Sequence, residues 1–294
     1  MQTGHVINWA GQGALDEFAA KPQRRLLMPP PAPVAPPRAR WPARRVAAVE
    51  ALWGEGYTGP GGAAETVRLA GPLGLNSNAS LLLLGGGLGG PAEAIVETFG
   101  SWVASFEADA ALADLAAQRL AGHAAARRVR IATWDPGRPC FGLHTAHHAM
   151  ALEAGRGGRL DAMLDGMAAA LRPHGHVVMT ELVAEAATPG NDREFAAWCR
   201  LENRRPEMPR VDQVTTGLAR LGFDVRVVED VSDRHVSATL AAWRTAVKAM
   251  ATGRKPDTSA AAAFVNEAEL WLLRIRLMRR LGLRLVRWYA VGSA

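Results

Sequence analysis

The 294 residues carry 49% hydrophobic and 21% charged side chains with a formal net charge of +6, the balance of a globular chain able to bury one sizeable core or two modest ones. No run approaches the roughly eighteen uninterrupted apolar residues of a membrane span, and the opening MQTGHVINWAGQGALDEF lacks the basic start and apolar centre of a secretory leader. Positive charge gathers at the ends: residues 1–47 hold seven basic side chains against Asp16 and Glu17, and residues 262–294 six arginines against Glu267 and Glu269. The stretch between is slightly acidic, so a basic surface tracking a nucleic-acid backbone is not expected. Cys140 and Cys199 are expected to be buried thiols of a reducing, cytoplasmic compartment and not a disulfide framework.

Residues 21–47, KPQRRLLMPPPAPVAPPRARWPARRVA, are too rich in proline and arginine for a helix or packed sheet, because proline removes donors and favours extended backbone. Residues 1–47 are therefore expected to form a flexible arm, with a basic contact for an anionic membrane or a protein partner as its functional alternative, and residues 48–294 the folded domain. Helical character returns near Val46, with Val49 and Leu52 on the same face. The glycine-rich loop WGEGYTGPGG follows, and its Trp53, Tyr57 and Thr58 offer two flat surfaces and a hydroxyl to a ligand beneath it.

A helix, AAETVRLAGPLGL, leads into the stretch that organises the rest, Leu81 to Gly90, LLLLGGGLGG. Four leucines are a strand too short to be a helix, the glycines are a tight turn, and PAEAIVETF is a helix: the opening unit of a nucleotide-binding α/β sheet. Gly85, Gly87 and Gly90 satisfy G-x-G-x-x-G, and Gly85, Gly87 and Gly89 are the candidate cofactor-binding glycines. WVASF is a second strand that ends at Glu107, 22 residues beyond Gly85, where a carboxylate can accept both hydroxyls of a ribose. A third strand, RVRIATW, ends at Asp135, beside the same crevice and suited to an adenine amino group, with Trp134 as cover for the base; Asp-Pro-Gly is also ordinary turn chemistry.

FGLHTAHHAMAL is expected to be the fourth strand and its exit. His144, His147 and His148 crowd together there; no second cluster completes a metal set, so no metal site is expected, and His147 or His148 is the candidate proton acceptor over the substrate. RLDAMLDGMAAALRPHGHVVMTELV gives helix, turn and strand, with PHG ending the helix. Residues 184–211 are too long for a plain connection and are expected to cap the sheet. VDQVTTGLARLGF and DVRVVEDVS are a helix and sixth strand. Residues 235–282 hold two helices, expected to be a second cap, before a last strand RLVRWYAVG; Leu270, Leu273, Leu277 and Leu281 form an apolar stripe, with Arg276, Arg279 and Arg280 mostly off it and solvated.

From about Glu50 to its end the chain resembles the class I S-adenosylmethionine-dependent methyltransferases. LLLLGGGLGG fills that family's V-L-D-x-G-x-G-x-G-G motif, Glu107 matches its ribose ligand, Asp135 its residue beside adenine, and ALRPHG its turn before strand five. WGEGYTGPGG resembles the loop that closes over cofactor and substrate in phosphoethanolamine and related small-amine methyltransferases. The resemblance implies a Rossmann-like, seven-stranded, mostly parallel α/β sheet with an antiparallel last strand and helices on both faces. It implies S-adenosylmethionine as cofactor and a small-molecule or lipid-like acceptor, attacked at nitrogen, oxygen or carbon. Three departures stand out: Leu83 where the family has an aspartate, Pro173-His174-Gly175 before strand five, and His147 or His148 where small-amine enzymes have an acidic residue after strand four. Two other functions compete, a non-catalytic binding or scaffold module and an NAD-dependent oxidoreductase, and the direction of the last strand is the feature that would discriminate the latter.

Overall fold

The four leucines lie in β1 (Ser80–Leu84), buried throughout except at Ser80, as a central parallel strand covered on both faces must be. The computed structural model describes residues 40–186, 192–253 and 256–293. In it β1 joins β2 (Trp102–Glu107), β3 (Val129–Thr133), β4 (Ala146–Leu152), β5 (Leu171–Ala184), β6 (Phe223–Asp230) and β7 (Leu283–Gly292) in a seven-stranded sheet ordered β3-β2-β1-β4-β5-β7-β6. Strands β1 to β5 pair in parallel, whereas β7 runs antiparallel to β5 and β6. This direction disfavours the oxidoreductase alternative. The strand order reverses between β1 and β4, and a crevice opens there at their carboxyl ends.

Side chains alternate along β1, so each face of the sheet acquires its own core. Leu82 and Leu84 pack with Met163, Leu164 and Met167 of α5 (Leu160–Ala170) and Val214 and Leu218 of α7 (Val211–Arg220). Leu81 and Leu83 meet Leu69 of α2 (Gly62–Ala70) and Ile95 of α3 (Gly90–Phe99) on the other face. A third cluster, beside the carboxyl end of β5, joins α1 (Ala43–Trp53), α6 (Arg193–Glu202), α8 (Ser232–Thr252) and α9 (Thr258–Leu281) through Val49, Trp198, Ala246 and Leu277 around Leu182 and Leu285. The segments 184–211 and 235–282 thus contribute α6, most of α8, and α9. The remaining helix, α4 (Ala110–Leu120), follows β2.

Several expectations need correction. The folded domain already includes residues placed in the arm, because Arg40, Trp41 and Arg45 hydrogen-bond into it; the rest of the expected arm lies outside the described residues, as does any contact it makes. PHG does not end a helix: α5 stops at Ala170, and Arg172–Gly175 bulge out of β5 between the pairs Ala146↔Leu171 and His148↔His176. A bulge is where a strand tolerates Pro173, and His174 takes φ 61° there. Cys199 is buried, but Cys140 is exposed. Among the described residues no helix is long and apolar enough to cross a membrane.

Candidate functional site

The chain leaves β1 through Gly85 at φ +76°, where a Cβ would stand 2.4 Å from the carbonyl oxygen of Leu152 at the end of β4. Backbone fills that space and cannot yield, so only glycine fits. The turn brings the Gly87 amide onto Glu107, whose Oε2 accepts its hydrogen at 2.9 Å while Oε1 accepts from Ala108 N at 2.9 Å. Burial pushes the Glu107 carboxyl upward in pKa, against the pull of Arg156 and these amides. Gly89, with φ 92°, caps α3 and lies against Leu120 and Ala116 of α4. Gly87 and Gly89 shape the turn, while Gly85 and Gly86 face the crevice.

A cavity of about 430 Å³ opens over the carboxyl ends of β1, β2 and β4, within the range of small-molecule sites. Glu107 and Trp134 line one half. Trp134 is buried, 5.3 Å from the Phe141 ring centroid, and its Nε1 has no protein partner. Asp135 is placed differently from its expected role: it is exposed, off the cavity wall, and its Oδ1 accepts from Gly137 N at 2.8 Å. The Asp-Pro-Gly turn claims the carboxylate.

Tyr57 and Thr58 lie over the glycine turn and line the cavity. The Tyr57 hydroxyl donates to the Gly90 carbonyl at 3.1 Å, and burial pushes its pKa up to about 12. Trp53 does not join them. It is the last residue of α1, buried with its ring 4.7 Å from that of Trp271, because the helix runs further than the glycine-rich loop suggested. Trp53 supports the wall; Trp271 forms it.

His147 and His148 are also displaced from their expected role. Both lie in β4, with His148 opposite Leu81, at the strand's amino end and about 13 Å from the crevice at 3.3 Å per residue. In a strand, neighbouring side chains point to opposite faces, so the helical spacing of the histidines has no meaning. His147 Nδ1 accepts from Ser80 N at 3.0 Å and His148 Nδ1 from His176 N at 3.1 Å. Burial, with His176 and His147 adding to it, lowers His148 to about 4. His144 Nδ1 sits 2.8 Å from the Leu171 carbonyl, and among the described residues no group of three metal-ligating side chains forms.

The acidic residue after strand four is Glu153, with φ 45° at the point where the chain leaves β4. It lines the cavity with Glu202 of α6 and Arg274 of α9. Arg274 donates to Glu153 at 2.7 Å and to Glu202 at 3.0 Å. Behind them Arg204 donates to Glu153 and to Glu181, each at 2.9 Å. Burial alone would raise Glu153 and Glu202, but Arg274 and its neighbours outweigh it and hold both carboxyls low. Sequence reasoning missed this network. Its signal was Arg274 itself, four residues after Leu270 and three before Leu277, on the apolar face of α9; it is 2% exposed, unlike the solvated arginines expected nearby.

Across the cavity stands His235, in the first turn of α8, its ring 5.8 Å from Trp271. Burial, then Arg274, lowers it to about 3, and its Nε2 has no protein partner. Arg40 and Trp41 close the rim by donating to Asp109, the cap residue of α4, at 3.3 and 2.9 Å; Arg40 also donates to the Glu202 carbonyl at 2.8 Å.

No protein-family model matches the chain, and no curated protein does. Solved structures do. Phosphoethanolamine N-methyltransferase 2 of Haemonchus contortus, in complex with S-adenosylmethionine, is similar at TM-score 0.70 and 18% identity over 84% of this chain and 56% of that one. Geranyl diphosphate C-methyltransferase of Streptomyces coelicolor A3(2) gives 0.56 and 17% over 78% and 80%. The [4+2]-cyclase SpnF gives 0.63 and 17% over 85% and 93%. The chain spans little more than half the length of the first. What these likenesses establish is the architecture: this is the Rossmann-like, seven-stranded fold of class I methyltransferases, with helices packed on both faces and the last strand antiparallel.

Proposed function

We propose that the chain is a methyltransferase that uses S-adenosylmethionine and a small-molecule acceptor. The observation that carries this reading is the Glu107 carboxylate, held at the end of β2 beside the glycine turn and lining the cavity with Trp134. A carboxylate there suits a ribose diol, the bare Gly85–Gly86 backbone admits close approach, and Trp134 lines the space for a base. Arg156, whose Nε donates to the Glu153 carbonyl at 3.1 Å, is the cation available to the cofactor's own carboxylate. Leu83 is fully buried in the core and supplies no acid.

When bound, S-adenosylmethionine supplies an electrophilic methyl group on a sulfonium. The protein's part is to align an acceptor with that methyl and to keep water out; Tyr57, Thr58 and the Arg40–Trp41 rim enclose the cavity for that purpose. Glu107→Ala is expected to weaken binding of S-adenosylhomocysteine at least about tenfold, the order of 1.4 kcal/mol. Unchanged affinity by calorimetry would remove the assignment.

A second reading keeps the cofactor fold without methyl transfer. Leu83 favours it, as does the likeness to a cyclase, SpnF. Cofactor binding with no methylated product from amines, phenols or lipids would support it.

A further inference from the structure

Helix α8 is apolar on two sides, and the domain covers only one of them. Val236, Trp243, Ala246 and Met250 turn inward and pack in the third core cluster. Leu240 and Val247 turn outward, 36% and 55% exposed. Residues at i, i+4, i+7 and i+8 share one face of a helix, so Leu240, Arg244, Val247 and Lys248 form a single stripe, and all four are exposed. A helix that packs on one core needs apolar residues on one side alone. The fold of the domain leaves the outward pair unexplained.

The charge on this stripe has one sign. After Asp233 the helix contains no acidic residue as far as its end at Thr252. Arg234, in the first turn, is held by Glu65 and Glu229, and the exposed Arg276 and Arg280 of α9 are matched by Glu194 and Asp192. Among the described residues Arg244 and Lys248 have no such partner. Helix α9 carries a comparable outward pair, Val265 and Leu272, but the exposed Glu269 lies between them on the same side. The stripe on α8 is the one that combines apolar side chains with unmatched cations.

We propose that this face of α8 docks the protein on an anionic lipid surface. Leu240 and Val247 enter among the headgroups, while Arg244 and Lys248 meet their phosphates and carboxylates. Four side chains on a convex helix are few beside the roughly 20 residues that each partner gives to a specific protein interface, whereas a lipid surface moulds itself around them. The first two turns of α8 line the cavity through Arg234, His235 and Ala238, and Val247 lies about 14 Å beyond Ala238 at 1.5 Å per residue. The docking face therefore starts beside the cavity and leads away from it. This proposal does not depend on the methyltransferase reading.

The test is co-sedimentation of the full chain with vesicles of phosphatidylcholine alone and of phosphatidylcholine mixed with phosphatidylserine, at low and at physiological salt. Binding to the mixed vesicles is expected to be at least about tenfold tighter than to phosphatidylcholine and to weaken as salt screens the charges. Arg244→Gln combined with Lys248→Gln should weaken it at least about tenfold, since each cation near an anionic surface contributes about fivefold. Leu240→Ser combined with Val247→Ser should weaken it at least about fivefold through lost apolar burial. Leu143→Ser, at an exposed leucine ahead of the amino end of β4, should stay within about twofold of wild type. All these side chains are exposed, and unchanged thermal midpoints would confirm that the variants fold. No binding to the mixed vesicles would overturn the proposal, as would equal binding to both kinds. If the charge pair alone mattered, the contact would be electrostatic, as with an acidic protein, and the lipid assignment would fall. Wild-type binding by both pairs would move the contact off α8 and overturn it as well.

Discussion

Glu107 and Asp135 are both carboxylates that follow a parallel strand, yet only one faces the cavity. Glu107 accepts hydrogen bonds across the glycine turn, whereas Asp135 is spent on its own Asp-Pro-Gly turn. Asp135→Ala is accordingly expected to change S-adenosylhomocysteine affinity less than threefold in the calorimeter, in contrast to Glu107→Ala; a loss as large as that of Glu107→Ala would mean the turn opens to give its carboxylate to the ligand. Gly85→Ala is a conformational prediction. The positive φ, with the Leu152 carbonyl in the way of the added Cβ, should cost about 1–3 kcal/mol of backbone strain, read as a lower urea midpoint. At this scale the sequence showed whatever depended on local chemistry. The glycine turn and Glu107 were legible because the spacing of a strand–turn–helix unit fixes them. His147 and His148 were misread because three histidines in five residues look the same on a strand and on a helix, and only pairing with β1 locates the end at which they lie. His235 carried no local signal at all; its place on the cavity wall depends on α9 packing beside it.

Elements convert these residues into a cavity by enclosing ions. Helices α6 and α9, with the turn after β4, bring Glu202, Arg274 and Glu153 together from positions 72 and 121 residues apart in the chain. Removing one of its two cations leaves Arg204 alone to balance the carboxylates of Glu153, Glu181 and Glu202. Arg274→Met should therefore lose about 3–5 kcal/mol by urea unfolding. The triple variant that also carries Glu153→Gln and Glu202→Gln should recover part of the loss. A neutral outcome for Arg274→Met would show that the cluster is hydrated and not a sealed wall. The helices themselves were readable from their apolar periodicity, α9 most clearly. The pairing of their buried charges was not, because periodicity records which face is apolar and says nothing of an arginine that is buried through distant partners.

For the whole molecule, burial of neutral histidines links stability to pH. His148 is lowered to about 4 and His235 to about 3, each below the ordinary 6.5 of an unfolded chain. The unfolded state binds more protons between those limits, so stability rises with pH across them and falls as pH drops from about 6.5 toward 4. Glu153 and Glu202, held low by their arginines, add a loss of the same sign below the ordinary carboxylate range. Thermal midpoints should fall steadily over this window, and His148→Asn should flatten the slope; an unchanged slope would relocate the titrating group. The seven strands and the antiparallel direction of the last followed from the resemblance and from the order of elements. The inclusion of Arg40 and Trp41 in the domain did not, since a proline-rich composition hides residues whose partners lie far along the chain.

The central claim is that the crevice between β1 and β4 holds S-adenosylmethionine. Its most direct test is calorimetric titration of the full chain with S-adenosylmethionine and S-adenosylhomocysteine, with NAD as the control. The account predicts micromolar binding of both, at one site per chain, and none of NAD. Absence of binding by either, or preference for NAD, would contradict it.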